Sequence, residues 1–187
     1  MERMEQRFAR HLCQKGYITQ EEIDWCAYSL QKRFLTLVTT IIVLILGLLV
    51  SNWWQAFLFV CGVAFLRTYT NGYHAKTFWG CLVLSCAVTV LCLLVVPYIN
   101  TVIAAILFLP SAGIIARFAP LNDSSIHLTK AEMGAMRKKV YLRLALLTCA
   151  FLLLLFINTQ AAACLSLSIF AVAISIAAAL KNTVVYH

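Results

Sequence analysis

Charge is scarce in this 187-residue chain: 12% of its residues are Asp, Glu, Lys or Arg, while 63% are hydrophobic. A water-soluble domain carries about a quarter of its residues as charges, so the composition excludes one and indicates a membrane protein. Acidic residues are scarcer still, 7 against 15 basic. The apolar runs do not hold the two carboxylates that intramembrane aspartyl proteolysis requires. A G-x-S-x-G sequence is absent, which removes the usual serine-hydrolase elbow. The 8 cysteines (Cys13, Cys26, Cys61, Cys81, Cys86, Cys92, Cys149, Cys164) are scattered without a C-x-x-C pair. They read as small apolar residues or free thiols on a reducing side, not as a disulfide framework or a zinc site. Histidines and carboxylates are dispersed, so neither a metal nor a cofactor is expected. Residues 1–34 are polar and charged with no apolar core near Met1, so no cleavable signal peptide is expected.

What the chain does have is apolar length. Runs at about 35–50, 53–66, 78–96, 99–116, 141–157 and 160–180 follow one another, and a bilayer core takes roughly 20 helical residues to cross. The first two runs are short and joined only by Ser51 and Asn52, so one re-entrant hairpin is the alternative to two spans. Trp53 and Trp54 at that turn suit an interfacial belt, and Arg67 closes the second run. The expectation is an all-α polytopic membrane protein with about six spans. It has two regions: an amphipathic helical segment, 1–34, and a membrane-embedded segment, 35–187.

The basic residues agree with this layout. The connections 51–55, 97–100 and 158–160 carry no lysine or arginine, whereas residues 1–34 hold six, 67–77 two and 117–140 five, with Arg143 and Lys181 completing the set. All fall on one face, which the positive-inside rule assigns to the cytoplasm together with both termini and the 67–77 connection. The formal net charge of +8 therefore follows topology and does not form an isolated groove for nucleic acid. Anionic inner-leaflet lipid or an acidic peptide fits better.

Between 1 and 34, Met4, Phe8 and Leu12 recur every four residues, and Gly16-Tyr17 breaks the pattern. Thr19-Gln20-Glu21-Glu22 has the form of a capping box, and Ile23, Cys26, Ala27, Leu30 and Phe34 continue an apolar stripe. Such helices either lie on the inner membrane face or pack on the protein's own loops. In the longest connection, 117–140, Pro120-Leu121-Asn122-Asp123 reads as a turn. Thr129-Lys130-Ala131-Glu132 is a second capping box, opening a helix that runs through Arg137-Lys138-Lys139 into the fifth span. Those three cations read as topology determinants or as a peptide-binding surface. Pro110 is expected to kink the fourth span, because its ring removes a backbone hydrogen bond.

The chemistry-bearing stretch is Arg67-Thr68-Tyr69-Thr70-Asn71-Gly72-Tyr73-His74-Ala75-Lys76-Thr77-Phe78-Trp79-Gly80-Cys81. An imidazole and a thiol are the minimum for cysteine-nucleophile chemistry. Asn-Gly is a turn signal just before His74. Arg67 and Lys76 add positive potential, which favours a thiolate, and Gly72 leaves room for a substrate backbone. On an unbroken helix the seven-residue spacing gives two turns and a rise of about 10.5 Å. Direct contact of His74 with Cys81 therefore requires a bend between them, or pairing across a homodimer. His11, His127 and His187 have no comparable setting. The bland alternative is a loop histidine and an inert membrane cysteine.

The basic amphipathic N-terminus, the six apolar segments and the pattern Arg-x4-Gly-x-His-Ala-x5-Cys resemble the accessory gene regulator B (AgrB) family. Its members are membrane cysteine endopeptidases that process the AgrD precursor of autoinducing peptides. The resemblance covers nearly the whole chain. Its specific part is 67–81, with support from Arg117-Phe118-Ala119-Pro120 and the basic start of the fifth span. The family usually shows Gly-Gly where this chain has Asn71-Gly72, and asparagine also tolerates a left-handed turn. The resemblance implies Cys81 as nucleophile, His74 as general base, Arg67 and Gly72 as supporting positions, an AgrD-like precursor as substrate and cyclisation of the product. Two other classes are a small peptide exporter, disfavoured by the few polar groups within the spans, and a scaffolding membrane protein without catalysis.

Overall fold

The computed structural model describes residues 4–70, 72–73, 78–121 and 130–185. All regular structure among them is helical: α1 (Met4–Gln14), α2 (Ile23–Val50), α3 (Trp53–Thr70), α4 (Phe78–Val95), α5 (Thr101–Phe118), α6 (Lys130–Ile157) and α7 (Thr159–Val185), with short 3-10 turns at Gln20–Glu22 and Val96–Tyr98. The fold is an all-α, polytopic membrane architecture. Four helical stretches are long and apolar enough to cross a bilayer: Trp79–Tyr98, Thr101–Phe118, Ala131–Ile157 and Thr159–Lys181. Phe34–Val50 is a shorter apolar segment, and the 53–66 run lies within α3. Two compact units are formed, Met1–Ile42 and Val43–His187.

In the first unit, α1 ends where the sequence breaks its apolar spacing. Gly16 takes φ 75°; its N–H donates to Cys13 O at 2.9 Å, and the Tyr17 N–H reaches back to Leu12 O at 3.1 Å. This pair of bonds closes a helix end through a left-handed residue, a conformation glycine adopts without steric cost. The predicted start at Thr19–Glu22 is one 3-10 turn that leads into α2. No break separates the amphipathic segment from the first apolar run: α2 is continuous past residue 34.

In the second unit α7 is innermost. Of its membrane window 56% is buried, against 17% for Trp79–Tyr98 and 22% for each of the other two. The reason lies in Ala161-Ala162-Ala163-Cys164-Leu165-Ser166-Leu167-Ser168-Ile169, buried on every side. Small side chains let neighbouring helices approach closely on all faces. The Ser166 and Ser168 hydroxyls donate to Ala163 O at 2.9 Å and Leu165 O at 2.8 Å, so they enter the core already satisfied. The buried positions of α3 are Gln55, Ala56, Phe59, Val60, Gly62, Leu66 and Thr70, and those of α5 are Ala104, Phe108, Ser111 and Ile115. Both sets follow three- and four-residue spacing, a single helical face. A Cβ at Gly62 would stand 3.0 Å from Ser168 Cβ, so α3 sits against α7 at backbone distance. Phe108 and Phe151 stack at 4.0 Å between α5 and α6. Pro110 lies inside an unbroken α5, where the next residue, Ser111, donates its hydroxyl to Leu107 O at 2.6 Å.

The turns at one end of this unit share a device. Asn100 Oδ1 accepts from Ile103 N–H at 2.9 Å and Asn158 Oδ1 from Ala161 N–H at 3.1 Å, each capping the helix that follows. Asn52 O accepts from the N–H groups of Gln55 and Ala56. Gln55, buried, donates its Nε2 to Gln160 Oε1 at 3.1 Å. The opposite end holds the C-termini of α3 and α5, the first half of α6 and the second half of α7. There the candidate residues gather.

Candidate active site

Arg67 follows the apolar run of α3 at its last turn, and α4 is described from Phe78. Gly72 and Tyr73, between them, are not helical. Gly72 has φ 140°, a conformation that L side chains rarely adopt. A Cβ there would collide with Arg67 Nη1 and stand 3.1 Å from Ser175 Oγ. The missing side chain therefore lets the guanidinium lie across the backbone. Arg67 Nη2 donates to Tyr73 O, while the Tyr73 N–H donates to Ser175 O of α7 at 3.1 Å. Both polar groups of one irregular residue are thus held, one by α3 and one by α7. Irregular backbone at membrane depth persists only where protein supplies such partners.

Cys81 is the fourth residue of α4 and half-buried. Burial penalises the charge on Arg67, and a thiolate at Cys81 would offset that penalty. The same group is therefore within electrostatic range of the thiol and grips the residue that precedes His74. His74 itself, with Asn71 and Lys76, lies outside the described residues, as do His127, His187, Asn122, Asp123 and Thr129.

Around this core a second set of contacts ties α3 to α6. Arg143 donates to Phe65 O and lies over the rings of Phe65 at 4.3 Å and Tyr69 at 4.2 Å. Lys139 is 5.2 Å from the centre of the same Tyr69 ring. Arg137 Nε donates to Tyr141 Oη at 3.0 Å, and that hydroxyl donates to Ala116 O at 3.1 Å. Cation–π contacts of this kind contribute about 0.5–2 kcal/mol each, more where water is excluded. Leu121 N–H donates to Thr70 O at 3.1 Å, just after the cis Ala119–Pro120 bond. Thr70 is fully buried, and its hydroxyl has no hydrogen-bond partner among the described residues. Among the described residues, no three His, Cys, Asp or Glu side chains converge as a metal site would require.

A sequence model of the family described as accessory gene regulator B, AgrB, matches residues 5–176. The chain belongs to the AgrB family. No curated protein and no solved structure gave a match.

Of the AgrB-like pattern, Arg67 lies against Gly72, and Cys81 is within electrostatic range of Arg67. Arg137, Lys138 and Lys139 are exposed on α6, with Arg137 and Lys139 resting on tyrosine rings. Sequence reasoning missed Ser175, about a hundred residues downstream. The only sequence trace of it is its place among the small residues Ala171, Ala173 and Ala177. It also passed over Arg143 as a binding partner of α3. A cation within an apolar run was the available signal.

Proposed function

We propose that this AgrB-family chain is a membrane-embedded cysteine endopeptidase that takes part in quorum-sensing peptide processing. Its substrate is an AgrD-like precursor, from which it removes the C-terminal tail. The observation that supports this reading is the joining of Arg67, Gly72 and Tyr73, with Cys81 within electrostatic range of Arg67, in the Arg-x4-Gly-x-His-Ala-x5-Cys pattern.

The steps follow from the groups available. His74 takes the thiol proton of Cys81, and the thiolate attacks the scissile carbonyl carbon. The C–N bond breaks, His74 returns the proton to the leaving amine, and the tail departs. The remaining acyl group is a thioester on Cys81, at the end of an apolar bundle that limits access of water. An internal cysteine thiol of the precursor then attacks the thioester, closes a thiolactone and restores the Cys81 thiol. An internal serine would give a lactone. This exchange replaces one thioester by another and is nearly isoenergetic, so loss of the tail drives the sequence forward.

In this reading the cationic end is cytoplasmic, and the precursor lies on anionic inner-leaflet lipid. Arg137, Lys138 and Lys139 face its acidic portion. The homodimer suggested by the His74–Cys81 spacing has its own check. Co-expressing His74→Ala with Cys81→Ala restores cleavage only when the two groups pair between chains.

The deciding experiment is cleavage of the precursor by chains in vesicles. Cys81→Ala and His74→Ala each lower it by about a thousandfold or more while membrane insertion is kept. Cys86→Ala and Cys92→Ala change it little. Normal processing by Cys81→Ala would reject the assignment.

A further inference from the structure

A peptidase of this kind needs its base held still, yet the motif names nothing that fixes the segment before His74 from the far side. Arg67 fixes it from α3. The Tyr73 N–H, however, is held by a carbonyl of α7, that of Ser175. The Ser175 side chain also closes on the open face of Gly72: its Oγ would lie 3.1 Å from a Cβ placed there. Ser175 is half-buried, next to the buried Ile176 and within a turn of the buried Val172 and Ala173. Side-chain bulk at position 175 would therefore press on Gly72 and Arg67, because the neighbouring turns of α7 are already packed.

We propose that Ser175 is a positioning residue for the reaction, acting through its carbonyl and its small volume to set the backbone that carries His74. The inference rests on the peptidase reading above. Its chemical content is specific. The hydroxyl is dispensable, the carbonyl is used through the backbone, and extra side-chain volume displaces the Gly72–Tyr73 segment. Misplacement of a catalytic group by about 1 Å costs on the order of a hundredfold in rate.

The test uses the full chain in vesicles, with Ser175→Ala, Ser175→Val and Ser175→Leu compared by two readouts. The first needs no substrate. Iodoacetamide labelling is followed at each cysteine by mass spectrometry at about pH 7 and about pH 10, below and above the ordinary thiol range. Ser175→Leu lowers Cys81 labelling at the lower pH to the rate of the His74→Ala chain, leaves the higher-pH rate unchanged, and leaves Cys61 and Cys149 unaffected at both. The second is precursor cleavage: kcat falls by roughly a hundredfold with KM unchanged. Ser175→Ala retains both rates, and Ser175→Val falls between. Val is the fallback where Leu blocks insertion, and Ile174→Phe, at an exposed neighbour, is the control for bulk on α7.

Bulky variants that insert and keep both rates overturn the inference, as does a rise in KM alone. Loss of both rates in Ser175→Ala would show that the hydroxyl matters and overturn it equally. Cleavage that survives Cys81→Ala sinks the peptidase reading instead, a result that the Ser175 series does not produce.

Discussion

The two ends of the unit formed by residues 43–187 close their helices by different means. At one end, neutral amides suffice: Asn100 and Asn158 cap the helices they precede, and Gln55 pairs with Gln160. Each cap reaches only three residues along the chain, and the turns are short. At the other end the chain leaves helical geometry after α3, and the partners are guanidinium groups and the backbone of another helix. Arg67 holds Tyr73, α7 holds it from position 175, and Arg143 on α6 holds a carbonyl of α3. The difference teaches what an irregular segment costs in an apolar bundle. Local caps satisfy a helix end, but an interrupted backbone needs charged, long-reaching donors and neighbouring helices to complete it. Function is proposed where the second means is used.

The comparison is broken most severely by removing its strongest donor. Arg67→Ala frees the Tyr73 carbonyl and takes the positive charge away from Cys81. Precursor cleavage is expected to fall by about a hundred- to a thousandfold, the cost of losing one preorganised donor. Arg67→Lys keeps the charge without the fork and recovers only part of the rate. Equal rates for Arg67→Ala and the unaltered chain would remove the contrast between the ends.

At the amide end the expected effects concern stability alone. Gln55→Leu leaves Gln160 without its partner and lowers the stability of the bundle by about 0.6–1.7 kcal/mol, the range for interhelical hydrogen bonds in membranes. Adding Gln160→Leu restores most of that, because no polar group is then left unpaired. Thermal unfolding in detergent measures the cycle, and kcat stays level throughout. A large loss of cleavage in Gln55→Leu would mean that this end also serves the reaction. The smallest effect belongs to Asn158→Ala. Loss of one cap costs about 1 kcal/mol, read as a lowered melting temperature with unchanged Cys81 labelling.

The helical runs were legible because the bilayer requires long apolar segments, and Gly16-Tyr17 ends α1 as its sequence suggests. Helix α2 runs through residue 34, where the sequence changes from amphipathic to apolar. Lys32, Arg33 and Phe34 are good or tolerable helix formers, so α2 continues where hydropathy changes. A change of solvent does not stop a helix; only a lost hydrogen bond or a strained φ does. Lys130-Ala131-Glu132 of the second capping box are helical, within α6, while Thr129 lies outside the described residues. Within the candidate site, Arg67, Gly72 and Cys81 were legible as one local pattern. Gly72 now has a physical reason, since only hydrogen leaves space for the guanidinium. Ser175 and Arg143 were not legible as partners of that pattern. Tyr73 and Ser175 meet through backbone atoms, which leave no residue-type signature, and Arg143 lies 78 residues from its carbonyl partner Phe65.

The innermost helix of the bundle, α7, is translated after the four it packs against. Until the ribosome delivers it, α3 and α5 must face lipid with surfaces shaped for small residues, and the carbonyl that holds Tyr73 does not yet exist. A nascent chain therefore carries its thiol long before it carries the finished cradle. On the peptidase reading proposed above, cleavage awaits the insertion of α7, and a chain that has not yet inserted it is expected to leave the precursor intact.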